Sequence, residues 1–292
     1  MIGATHYTQT ISKGYLAVDM FFMLSGFVMT HVYCRTFCNA DGVKRHYRSF
    51  LVARVARLYP LHIFIIFLFV AVAMTAQLMS GAVAGSLAGI PLTGPESVAA
   101  IVANVFMLQG LEAGKLSWNY PAWSISVEFM AYLAFPFVLP FIWRASAAVK
   151  VVLALGLFTA LVGLAFLKQD NFDQWDGPLT LLRCLPEFFL GTLLYCVYRI
   201  SVRSPWLSGD FAAFGIVAAT ILCLHFGAPD LLIVVLFAAL IPIAVVNTGR
   251  FAEIANVGPL IWLGEISYSL YLIHGFVKFV ATKLLGAFGV QD

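Results

Sequence analysis

Long apolar runs constrain this chain more than any other feature. LHIFIIFLFVAVAMTAQLM (61–79), VVLALGLFTALVGLAFL (151–167) and LIVVLFAALIPIAVV (232–246) each approach a bilayer's length, for which a helix needs about 20 apolar residues. Composition agrees, since 62% of the 292 residues are hydrophobic and 11% charged, against roughly 25% charged in a soluble domain. The runs are continuous, whereas a barrel strand alternates inward and outward side chains over about ten residues. The expected fold is therefore all-α, a polytopic transmembrane bundle of about eight to nine spanning helices. A soluble enzyme and a nucleic-acid-binding protein are both excluded as classes.

The spans are expected at 15–33, 61–79, 121–143, 151–167, 179–200, 211–226, 231–246 and 259–285. The shorter run 97–108 is expected to be re-entrant or interfacial. The connecting segments are too short for a soluble domain, so residues 1–292 read as one membrane-embedded domain. Basic residues mark the cytoplasmic side of membrane helices, and Arg35, Lys44, Arg45, Arg48, Arg54 and Arg57 all precede the second span. That loop is expected inside, with residues 5–19 and the segment LEAGKLSWNYPAWS outside.

Ionisable side chains within the spans are few: Asp19, Glu128, Arg183, Glu187 and His274, with His62 nearer an end. Each costs about 2.5 to 3.5 kcal/mol at a helix centre and normally faces the bundle interior. Glu128 lies in the aromatic run AWSISVEFMAYLAFP. Arg183 and Glu187, four apart, are placed for a local pair; the partners of Asp19 and Glu128 must come from other helices. The five cysteines lack the paired spacing of a zinc site or a disulfide framework and are read as structural thiols. No metal is expected.

Five blocks in order, AVDMFFMLSGFVMTHVY, FLVARVARLYPLH, NYPAWSISVEFMAYLAFP, RCLPEFFLGTLLYCVYR and LGEISYSLYLIHG, resemble acyltransferase family 3. Its members are bacterial inner-membrane O-acyltransferases of the O-antigen and exopolysaccharide type. The resemblance implies transfer of an acyl group, commonly acetyl from acetyl-CoA, to a hydroxyl of a carbohydrate or lipid-linked glycan. Acyl-CoA would act as a co-substrate, with no tightly bound cofactor, and the bilayer as a standing partner. In the family a histidine follows an arginine by eleven positions, about a dozen residues before the Val-Asp pair. His6, thirteen positions before Asp19, matches that histidine; the arginine would precede Met1, which implies that most of a first helix is absent.

The residues themselves support these roles. Ester formation from a thioester needs a base for the attacking hydroxyl, and histidine titrates in the right range. A carboxylate, Asp19 or Glu128, would orient it. Arg54 and Arg57, three apart on one helix, serve either as inward anchors or as a site for CoA phosphates; the family motif favours the second. Lys44, Arg45 and Arg48 read as topology signals that also attract anionic ligands or lipid heads. Ser25, in MLSGF, has Met23 where a nucleophile elbow needs glycine, and a Ser-Gly pair commonly marks close helix packing. Tyr268, Tyr271 and His274 fall on adjacent turns of the last helix and, with Ser25, are candidates to line the cavity; an aromatic surface packed in the bundle is the alternative for the three on the last helix. A transporter, or an inactive fragment of the acyltransferase, is the alternative.

Overall fold

The computed structural model describes residues 13–39, 41–79, 96–111, 118–169, 172, 177–201 and 205–287. Its helices are α1 (Ala17–Phe37), α2 (Gly42–Met79), α3 (Val98–Val105), α4 (Trp123–Arg144), α5 (Ala147–Leu167), α6 (Leu179–Ser201), α7 (Pro205–Ser208), α8 (Asp210–Phe226), α9 (Asp230–Val246), α10 (Arg250–Ala255) and α11 (Gly258–Ala287). There is no strand among the described residues. Among the described residues, six helical stretches are long and apolar enough to cross a membrane; α8 and α9 are apolar but shorter. On α5 the residues Val152, Leu155, Phe166 and Leu167 face outward, an arrangement suited to lipid and costly in water.

One expected boundary moves. The run 61–79 is the later part of α2, which begins at Gly42 and continues through Pro60. Hydropathy marks only the portion that suits hydrocarbon, whereas main-chain hydrogen bonding carries the helix beyond it. Arg54 and Arg57 therefore lie well inside a long helix. The run 97–108 contains the eight-residue α3, capped where the Ser97 hydroxyl accepts from Ala100 N at 3.0 Å. At about 1.5 Å per residue it is too short to cross a bilayer.

The chain forms two compact units. The first combines residues 1–50, 131–175 and 181–261. Its core is aromatic: the Phe37 ring meets Phe50 edge-on at 5.3 Å and Phe135 at 6.3 Å, and Phe135 meets Phe188 at 5.7 Å. Here α1 and α6 run in the same direction, because Asp19 meets Arg183 near their beginnings and Phe27 meets Tyr195 further along. Between those points the backbones touch. A Cβ on Gly26 would lie 1.8 Å from Phe188 O, and one on Gly191 would lie 1.9 Å from Met23 O. Only glycine permits that approach, so the Ser25-Gly26 pair is a packing surface. The Ser25 hydroxyl pairs with the Tyr132 hydroxyl at 3.0 Å.

The second unit combines residues 51–130, 176–180 and 262–292. In it α2 holds α3 through Tyr59, which donates to Val105 O at 2.7 Å, and through His62 Nε2 against Asn104 O at 2.9 Å. Phe69 packs on Phe276 and Phe279 of α11 at 5.1 Å each. The segment before α4 is tied to α11: Asn119 Nδ2 donates to Leu272 O at 3.0 Å, and Gly275 leaves room for Asn119 and Pro121.

Candidate active site

The first unit gathers its buried charge at the starting end of α1 and α6. Arg183 extends its guanidinium to Asp19 as a fork, Nε to Oδ1 at 2.6 Å and Nη2 to Oδ2. Its Nη1 donates to Phe172 O at 2.7 Å. Phe172 N in turn donates to Asp230 Oδ2 at 2.8 Å, and Asp230 also accepts from the Tyr15 hydroxyl and from Lys13 Nζ. Asp19, Asp230 and Glu187 are fully buried. Such burial is tolerable because each charge of a bidentate pair removes the other's desolvation penalty in part.

This corrects the expected local pair. Arg183 gives its hydrogen-bonded fork to Asp19 on α1 rather than to Glu187, four residues on, because two carboxylate oxygens match its planar guanidinium. Glu187 lies beside both charges, within electrostatic reach of Asp19 and Arg183. Asp230 was absent from the sequence reading. The available signal was an acid opening an apolar run directly after Pro229, which hydropathy treats as a boundary.

In the second unit Glu128 sits half-buried in the second turn of α4. Glu128 and Arg57 both lie within electrostatic reach of the Tyr268 hydroxyl, so α2, α4 and α11 each contribute one polar group. Tyr268 donates to Leu58 O at 3.1 Å and Tyr271 to Pro121 O at 3.2 Å. These hydroxyls tie α11 to the other elements of its unit. Arg54 is half-buried one turn before Arg57, while the His274 ring is exposed and its Nδ1 meets Tyr271 O. His6 lies outside the described residues.

The five cysteines are free thiols. Burial, with Cys34 beside it, pushes the Cys38 thiol just beyond α1 up to about 11, which keeps it from thiolate chemistry near neutrality. No cluster of three or more metal-ligating side chains occurs among the described residues.

Apolar helices long enough to cross a bilayer, with buried charges in the first unit and the Glu128, Arg57 and Tyr268 group in the second, define a multi-pass membrane protein. Its family follows from comparison: the acyltransferase-domain family model matches residues 4–291, and the chain belongs to that family. It is an acyl-group transferase by that membership. Acyltransferase MdmB of Streptomyces mycarofaciens is 27% identical over 94% of this chain and 70% of its own length. O-acetyltransferase OatA of Staphylococcus aureus is 25% identical over 91% of this chain. The chain spans about half of OatA, 46% of its length. Protein 2 in picA locus of Rhizobium radiobacter is 46% identical over 52 residues, 18% of this chain and 26% of its own length. No solved structure matches.

Proposed function

We propose that this protein is an O-acyltransferase of the bacterial inner membrane that moves an acetyl group from acetyl-CoA to a hydroxyl of a carbohydrate or lipid-linked glycan. The family match over residues 4–291 carries this reading, with a relative named as an O-acetyltransferase in support. The acceptor hydroxyl attacks the thioester carbonyl, a C–O bond forms, and the C–S bond breaks. His6 takes the hydroxyl proton as general base. The thiolate of CoA leaves and is reprotonated from the resulting imidazolium.

Glu128, within electrostatic reach of Tyr268, orients the base or the acceptor hydroxyl. Arg54 and Arg57 receive donor phosphates, for which guanidinium is well suited. Asp19 works at one remove, since the ion pair with Arg183 secures the start of the helix that follows His6. The test is incubation of the purified protein in lipid vesicles with isotopically labelled acetyl-CoA and a lipid-linked glycan fraction, followed by mass. Label in the glycan, abolished by Arg54→Gln with Arg57→Gln, is the expected result. Transfer undiminished in that double variant removes the two arginines from the donor site, and folded protein with no transfer to any glycan overturns the reading.

A further inference from the structure

At the other end of α1 from the buried ion network lies a cleft of about 470 Å³, within the first unit, between the last turns of α1 and the first turns of α2. Its size falls in the range of small-molecule sites, roughly 300 to 1,000 Å³. Its walls carry the guanidinium groups of Arg35 and Arg45 and the His46 ring. Hydroxyls come from Tyr33, Thr36 and Ser49, and Asn39 contributes an amide. No carboxylate among the described residues lines it. Asp41, the only acid between residues 33 and 49, is not on its wall. Neither Arg35 nor Arg45 forms an ion pair among the described residues.

The turn between α1 and α2 behind the cleft is held by hydrogen bonds. Cys38 N donates to Cys34 O, Gly42 N to Asn39 O and Arg45 N to Asp41 O, at 3.0–3.1 Å. Arg144 of α4 donates to Cys38 O at 2.8 Å. Gly42 packs so closely on α1 that a Cβ there would lie 2.1 Å from Thr36 O. The Tyr33 ring is held between Phe37 and Phe50, with centroids at 5.6 and 4.9 Å.

We propose that this cleft is a binding site for phosphate groups, supplied either by the nucleotide end of the acyl donor or by an anionic lipid headgroup. A topology signal requires only cations near the bilayer. It does not require them on the walls of one cavity, facing hydroxyl and amide donors with acids excluded. That donor set matches phosphate oxygens, which accept from guanidinium in pairs. Lys44 and Arg48, equally basic and adjacent in sequence, stand outside the cleft and serve as controls.

The nucleotide source rests on the proposed acetyl-CoA chemistry; the phosphate site does not. Full-length protein in neutral phosphatidylcholine nanodiscs is titrated with labelled adenosine 3′,5′-bisphosphate, with inorganic phosphate as competitor. In a second arm, retention of phosphatidylglycerol is measured by native mass spectrometry. Arg35→Gln with Arg45→Gln is expected to weaken nucleotide binding about tenfold or more and to flatten its salt dependence. Lys44→Gln with Arg48→Gln leaves it unchanged. Loss confined to phosphatidylglycerol retention assigns the phosphate to lipid and sustains the site.

Equal behaviour of the Arg35/Arg45 variant and wild type in both arms overturns the proposal, as does wild type that binds neither probe. Unaltered elution in gel filtration confirms that these exposed substitutions leave the fold intact. The acyl-transfer assay is read separately. Nucleotide binding through the cleft without any acyl transfer would defeat the functional reading alone, and transfer with the cleft variant binding normally would defeat the cleft alone.

Discussion

Asp19 uses both carboxylate oxygens on one guanidinium, so its contribution to stability depends on what becomes of Arg183 when it is removed. Asp19→Asn leaves a buried cation without its counter-charge, and breaking such a pair costs about 3–5 kcal/mol. Thermal unfolding in detergent should show that loss. The double variant Asp19→Asn with Arg183→Met should lose less than the sum of the single changes, because the second removes the charge the first had stranded. Additive losses would mean that the two side chains do not act as a pair. At this scale the sequence revealed which residues were expensive to bury but not their partners. Helical spacing brings Arg183 and Glu187 together, whereas the fork geometry that draws Arg183 to Asp19 exists only once α1 lies against α6.

Between elements, the decisive contacts are backbone approaches rather than side-chain matches. Gly191→Ala would drive a methyl group to 1.9 Å from Met23 O, forcing α1 and α6 apart, and should lower stability by roughly 1–3 kcal/mol or more. Ser25→Ala, beside that surface, loses the Tyr132 bond, about 1 kcal/mol, and should retain acyl transfer. Abolished transfer with intact folding in that variant would restore the nucleophile reading of Ser25. A second junction depends on pH. The Asp210 carboxylate accepts from Phe251 N at 3.1 Å, Arg250 N at 3.0 Å and Asn247 Nδ2 at 3.3 Å. These donors at the start of α10, Phe251 N foremost, hold it below the ordinary 3.8. The contribution is complete above that ordinary value and disappears as pH falls through the lower folded value. Asp210→Asn should therefore melt earlier than wild type at neutral pH, with the gap closing in acid; a gap constant at every pH would contradict this role.

For the molecule as a whole, the functional question is whether His6 and Glu128 act as one catalytic unit. Glu128→Gln preserves size and most hydrogen bonding, so a purely structural role predicts near-normal acyl transfer. General-base assistance is worth about 10²–10⁴-fold, and both His6→Ala and Glu128→Gln are expected to lose transfer on that order. Combined, they should lose less than the product of the single effects. Acetyl transfer to glycan, normalised to folded protein, is the measurement, and full transfer by both single variants would refute the assigned chemistry.

The sequence by itself determined the all-helical membrane class, because a helix that crosses a bilayer needs about twenty apolar residues whatever its neighbours. It also revealed the family, through blocks whose order survives without any knowledge of packing. It marked Ser25-Gly26 as a packing site, since small residues have few other uses on a helix surface. What only the tertiary structure decided was which polar groups meet: Arg183 with Asp19, Asp230 with Lys13 and Tyr15, and Tyr268 within electrostatic reach of both Glu128 and Arg57. Hydropathy and periodicity describe one helix at a time, whereas a buried charge is stabilised by atoms far away in sequence, and their distances are set only when the helices pack.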